Sequence, residues 1–136
     1  MGSRADFYVQ SKDNMKWLGS LFKKGEPWNI DLKILIQINR VMFEELVKTF
    51  LIMRVHSERK KWPWDWPDSQ MTDYSYIFDD EREKVIAYSA VDKMLFNPVK
   101  IIQGKDLNSA HIPGAPDFPK LGVEYDSIYA SKESRS

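Results

Sequence analysis

Trp62-Pro63-Trp64-Asp65-Trp66-Pro67-Asp68-Ser69 is the stretch of this 136-residue chain whose residue types most invite chemistry. Three indoles alternate there with prolines and carboxylates. Rigid aromatic rings lose little conformational entropy on binding and supply the hot spots of protein interfaces. They also present faces on which nucleotide bases stack. The plainer reading is a loop pinned to the domain by indoles packed in its core, since large aromatics are mostly buried. Two prolines oppose a helix and a central strand, so an extended, polyproline-like loop is expected. With three residues per turn, such a loop points its indoles in different directions, some inward and at least one outward. Trp62, Trp64 and Trp66, with Asp68 and Asp73 beside them, are the expected partner-binding residues.

Other candidate chemistry is sparse. Asp65, Asp68 and Asp73 form a loose acidic set, and carboxylates converging on a hard cation can drive phosphoryl chemistry. Their spacing matches no known metal loop, and Asp in turns more often bonds neighbouring backbone. His56 and His111 are the only histidines and lack metal-ligand spacing. Ser20 follows a glycine, but Leu18-Gly19-Ser20-Leu21 lacks the second glycine of a nucleophile elbow. No phosphate-cradling glycine motif occurs. Arg59-Lys60-Lys61 reads as a solvated helix end, and Asp79-Asp80-Glu81 with Glu83 as a hairpin turn. No catalytic residue, metal ligand or cofactor is expected, and the chain reads as a binder rather than an enzyme.

Composition bounds the partners. Lys+Arg and Asp+Glu are 20 each, for a formal net charge of zero. The basic excess typical of nucleic-acid binders is absent, and the low self-repulsion suits a homo-oligomer. There is no cysteine, which excludes disulfides, thiolate catalysis and zinc–cysteine sites. No apolar run approaches the ~20 residues of a membrane span, and the N-terminus lacks a signal-peptide core. The host cytoplasm is the expected location.

The elements that must position these residues follow from periodicity. Asp6–Gln10 and Lys16–Phe22 read as two strands, with Gly19 marking a bulge or a close backbone approach. Leu32, Ile34, Ile36 and Ile38 alternate with period two and predict a third strand, the alternative being the start of a long helix. Asn39 is an N-cap for a helix over 40–56, whose apolar face is Phe43, Leu46, Val47, Phe50 and Leu51. Asp73–Phe78 and Lys84–Ser89 predict an antiparallel hairpin. Beyond Phe96 the pattern fades into prolines and glycines, with one short strand at Val99–Ile102. The expected fold is α+β: an antiparallel sheet of about four to five strands packed on one main α-helix. Residues 1–96 form the core domain, and 97–136 an irregular C-terminal arm ending in a disordered tail.

Arg4-Ala5-Asp6-Phe7-Tyr8-Val9, Trp17-Leu18-Gly19-Ser20, Trp62-Pro63-Trp64-Asp65-Trp66 and Thr72-Asp73-Tyr74-Ser75-Tyr76-Ile77-Phe78 occur in that order. In these blocks the chain resembles a family of small hypothetical proteins of bacteriophages and of bacterial, notably actinobacterial, genomes. The resemblance spans about residues 4–90. Pro67 departs from it, standing where the family has an acidic residue. The resemblance implies a phage origin and carries no catalytic residues with it. The leading expectation is a phage-encoded accessory protein that binds and blocks a bacterial defence component, such as a CRISPR or nucleotide-signalling system. The alternatives are a virion or assembly component and a small metal-dependent enzyme acting on a nucleotide.

Overall fold

The computed structural model describes residues 3–122. Strands β1 (Ala5–Ser11) and β2 (Asn14–Leu21) form the first hairpin. Two helices follow, α1 (Leu32–Leu35) and α2 (Arg40–Ile52), and then the two-residue strand β3 (Ser57–Glu58). After the tryptophan loop come β4 (Tyr74–Asp79), β5 (Lys84–Ser89) and β6 (Met94–Phe96). Helices α3 (Pro98–Ile102) and α4 (Leu107–Ala110) lead to β7 (His111–Ile112). The strands make one sheet in the order β3-β2-β1-β4-β5-β6-β7.

The fold is α+β, but it corrects the expected architecture. The sheet has seven strands rather than four to five, and it is mixed: β1 and β4 run parallel, Ala5 opposite Tyr74, while the other pairs are antiparallel. Four helices are present among the described residues instead of one, three of them only four or five residues long. The parallel pair arises from the chain path. The segment after β3 starts at the sheet edge beside β2 and delivers β4 to the far side of β1. On its way it touches β2 through Trp17 and β1 through Asp6. A crossover of this kind is what parallel neighbours require; here it is the tryptophan loop.

Three local readings also change. The alternating run at 32–38 is not a strand. Ile34 and Leu35, adjacent in sequence, are both buried, whereas neighbours on a strand point to opposite faces. Asp31 caps α1 by accepting from the Lys33 amide at 3.0 Å. The strand expected at Val99–Ile102 is α3, because Pro98 sits at its first turn and Asn97 accepts from the Val99 amide. The helix expected to reach residue 56 ends at Ile52. Ser57 turns the chain there, its hydroxyl lying 2.6 Å from the Leu51 carbonyl and 2.8 Å from that of Arg54. The C-terminal stretch is less irregular than expected, holding α3, α4 and β7. The tail expected at 131–136 lies outside the described residues.

Both faces of the sheet are covered. On one face Phe7, Val9, Tyr76, Phe78 and Ala87 pack against Phe43, Val47, Phe50 and Leu51 of α2 and Ile34 of α1. Phe7 stacks on Tyr76 at 5.4 Å and Phe43 tilts against Phe78 at 5.4 Å, contacts worth about 0.5–1.5 kcal/mol each beyond area burial. On the other face Tyr8, Ile77, Ile86 and Leu95 gather around Phe118 from the C-terminal segment. The Asn39 side chain accepts from the Met42 amide at 2.9 Å and satisfies one of the four free donors of α2. Asn39→Ala is expected to lower unfolding free energy by about 1 kcal/mol in urea titration.

Candidate functional site

In an A-D-F-Y-V strand a carboxylate stands where its neighbours are apolar, and that carboxylate organises the whole region. Asp6 is completely buried. Period two puts it on the same face as Tyr8, and pairing sets Ser20 of β2 and Ser75 of β4 beside it in one row across the sheet. The Ser20 hydroxyl donates to Asp6 Oδ1, and so does the Trp64 indole N–H at 2.7 Å. The Ser69 hydroxyl donates to Oδ2 at 2.6 Å. Ser69 spends its single proton there, so the Tyr8 hydroxyl, 2.6 Å away, must donate to Ser69. By the same count the Trp17 N–H donates to Ser20 at 3.0 Å. Two relays and one direct bond thus point inward at one carboxylate. The Ser75 hydroxyl is buried and has no hydrogen-bond partner among the described residues.

Burial pushes the Asp6 carboxyl above its ordinary value, while the hydroxyl and indole donors pull the other way. The Tyr8 hydroxyl is also pushed up, first by burial and then by the nearby charges of Asp6 and Asp68. It therefore holds its proton and serves as a donor. No part of this network reaches solvent at Asp6, so its chemistry is structural: it fastens the tryptophan loop to β1.

The loop's indoles are distributed differently from the expectation of three diverging rings. All three are half-buried. Trp64 and Trp66 stack face to face, centroids 5.2 Å apart and planes within 10°. Trp62 turns away to meet Trp17 edge-on at 5.8 Å. Each N–H is satisfied internally: Trp62 on the Trp66 carbonyl at 2.7 Å, Trp64 on Asp6, and Trp66 on the Thr72 hydroxyl at 3.0 Å. The Arg4 guanidinium lies 4.9 Å from the Trp66 ring and 6.0 Å from Trp64, and Phe22 meets Trp64 edge-on. The loop thus keeps a short ladder of cation and rings at the surface while its polar atoms face inward.

The carboxylates do not converge. Asp68 is buried and caps the 3-10 turn Ser69–Met71 through the Gln70 amide at 2.9 Å. Asp73 accepts from the Arg4 backbone amide at 2.8 Å and its side chain at 3.1 Å. Asp65 is exposed. Among the described residues no group of three His, Cys, Asp or Glu is placed to hold a metal ion. His56 and His111 are both exposed, His56 in the turn before β3 and His111 on β7. Sequence reasoning missed Asp6, Tyr8, Ser20, Ser69 and Thr72. The available signal was an acidic residue inside an otherwise buried strand, which demands partners.

A second surface feature comes from the misread run at 32–38. With Ile34 and Leu35 turned inward, Leu32, Ile36, Ile38, Val41 and Met42 are left exposed, Ile38 at 72% and Val41 at 69%. Single exposed aliphatics are ordinary; here five fall within eleven residues of sequence. No helix among the described residues is long and apolar enough to cross a membrane. Comparison of the chain with protein-family models, curated proteins and solved structures finds no match.

Proposed function

We propose that the protein is a phage-encoded accessory protein that binds a host protein in the host cytoplasm and blocks a bacterial defence component. The exposed aliphatic group Leu32, Ile36, Ile38, Val41 and Met42 carries this reading. Inhibition by occlusion needs only a complementary surface of ordinary interface size, and apolar anchors of this kind supply the central contacts of such interfaces. The half-exposed rings of Trp64 and Trp66 beside Arg4 form a second contact region of the type that makes hot spots. The phage assignment rests on the resemblance of the A-D-F-Y-V, W-L-G-S, tryptophan and T-D-Y blocks.

The test is plating efficiency. Hosts carrying single defence systems would express the chain and be challenged with a phage that those systems restrict. One system is expected to lose its protection, and the double change Ile38→Glu/Val41→Glu to restore it. Both positions are exposed, so circular dichroism should show an unaltered fold. Undiminished protection in every system would remove the reading.

A further inference from the structure

A groove lies where α2 ends and β2 runs out, at the other end of the helix from Val41 and Met42. Asn29 lines it, three residues before Leu32, but the groove and the aliphatic group share no residue. The groove encloses about 580 Å³, within the roughly 300–1,000 Å³ of small-molecule sites. Its lining includes Lys23, Lys24, Arg54 and His56 and, among the described residues, no carboxylate. In a chain with as many acidic as basic residues, that is a local concentration of one sign, and such clefts draw oppositely charged ligands. None of these four side chains has a carboxylate within salt-bridge distance among the described residues.

One of the cations is held in place by its neighbours. The Arg54 guanidinium lies 3.6 Å from the centroid of the Phe50 ring and donates to the Phe50 carbonyl at 3.3 Å. One of its donors is thereby used, and the planar fork is left with the others for an anion. Lys24 follows β2 with a left-handed backbone, φ +59°, as Lys12, Glu83 and Lys93 have at other turns. Met53 and Val55 share the lining and are 74% and 91% exposed. They add apolar surface next to the charges.

We infer that this groove is a binding site for a small organic phosphate of the nucleoside-phosphate class, with Lys23, Lys24, Arg54 and His56 receiving the phosphates and Met53 and Val55 covering the apolar moiety. The site is independent of the aliphatic surface, and either proposal can fail alone. A bare anion would use only the cations. An organic phosphate uses both parts of the lining.

Calorimetric titration of the full chain with ATP and, separately, with inorganic pyrophosphate at low salt tests it. Both are expected to bind, ATP about tenfold more tightly, with affinity falling as salt rises. Arg54→Gln should weaken both at least about tenfold, the scale of a lost charge-assisted bond. Lys24→Gly should weaken both while leaving the melting temperature unchanged or higher, because glycine relieves the left-handed backbone. That variant keeps the test valid if Arg54→Gln folds poorly. Met53→Ser should weaken ATP alone. Absence of binding by either ligand up to about 1 mM, or binding that Lys24→Gly reduces no more than Lys105→Ala, a change at an exposed lysine outside the groove lining, would overturn the assignment.

Discussion

Asp6→Ala is expected to lower the unfolding free energy by about 3–5 kcal/mol, read as a drop in urea midpoint at unchanged slope. The substitution leaves the Ser20 and Ser69 hydroxyls and the Trp64 N–H without their acceptor in a dry interior. Each stranded donor costs about 1–3 kcal/mol, and relief from burying a carboxylate offsets part of the sum. The tryptophan loop loses its tie to β1, so near-ultraviolet dichroism should weaken with it. Asp6→Asn keeps an acceptor for one pair of donors and is expected to cost less. It also isolates the titration. The folded carboxyl is held above its ordinary 3.8, so between these two values the folded state binds more protons than the unfolded one. The Asp6 contribution is therefore fully present below pH 3.8 and is lost as pH rises through the folded value. Relative to Asp6→Asn, the natural protein should lose stability across that window as pH increases. The opposite slope would show that the converging donors outweigh burial.

Gly19→Ala is expected to cost about 2–4 kcal/mol in the same measurement. Gly19 has φ +156° and sits at the irregularity where Leu18 is the extra residue between β1 and β2. A β-carbon there would overlap the Leu51 side chain and come within 2.9 Å of the Glu58 carbonyl. Backbone strain and overpacking each contribute about 1–3 kcal/mol. The position is where α2, β2 and β3 close on one another, so none of the three can move away alone. Leu51→Ala combined with Gly19→Ala should recover part of the loss. Full additivity would mean that the strain is in the backbone only.

What the sequence disclosed divides along physical lines. The β1–β2 hairpin, α2 with its Asn39 cap and the β4–β5 hairpin were readable because local periodicity and capping determine them. The alternation at 32–38 misled because period two says nothing about whether a strand neighbour exists. Asp31 and Asn39, two caps eight residues apart, start one helix within the run and another just after it. The parallel β1–β4 pair was hidden because its crossover is a proline-bearing loop with only the 3-10 turn Ser69–Met71 and no α-helix, while crossovers usually advertise themselves as βαβ units. At the site, the indoles were conspicuous and their acceptors were not. Asp6 reads as one polar residue in a strand until Ser20, Trp64 and Ser69 are brought to it from 14, 58 and 63 positions away.

The parallel pairing also has a consequence during synthesis. β1 and β2 can close on each other as soon as Leu21 has emerged, but the other side of β1 is paired by residues 74–79. At ~5–20 residues per second, the ribosome takes roughly 3–10 s to deliver them. Through that interval a strand destined for the middle of the sheet is an open edge, of the kind that invites stray pairing. Asp6, later sealed in, then faces water and carries its charge at neutral pH. The nascent hairpin thus wears a temporary negative guard that disappears from the surface only when the right partner arrives.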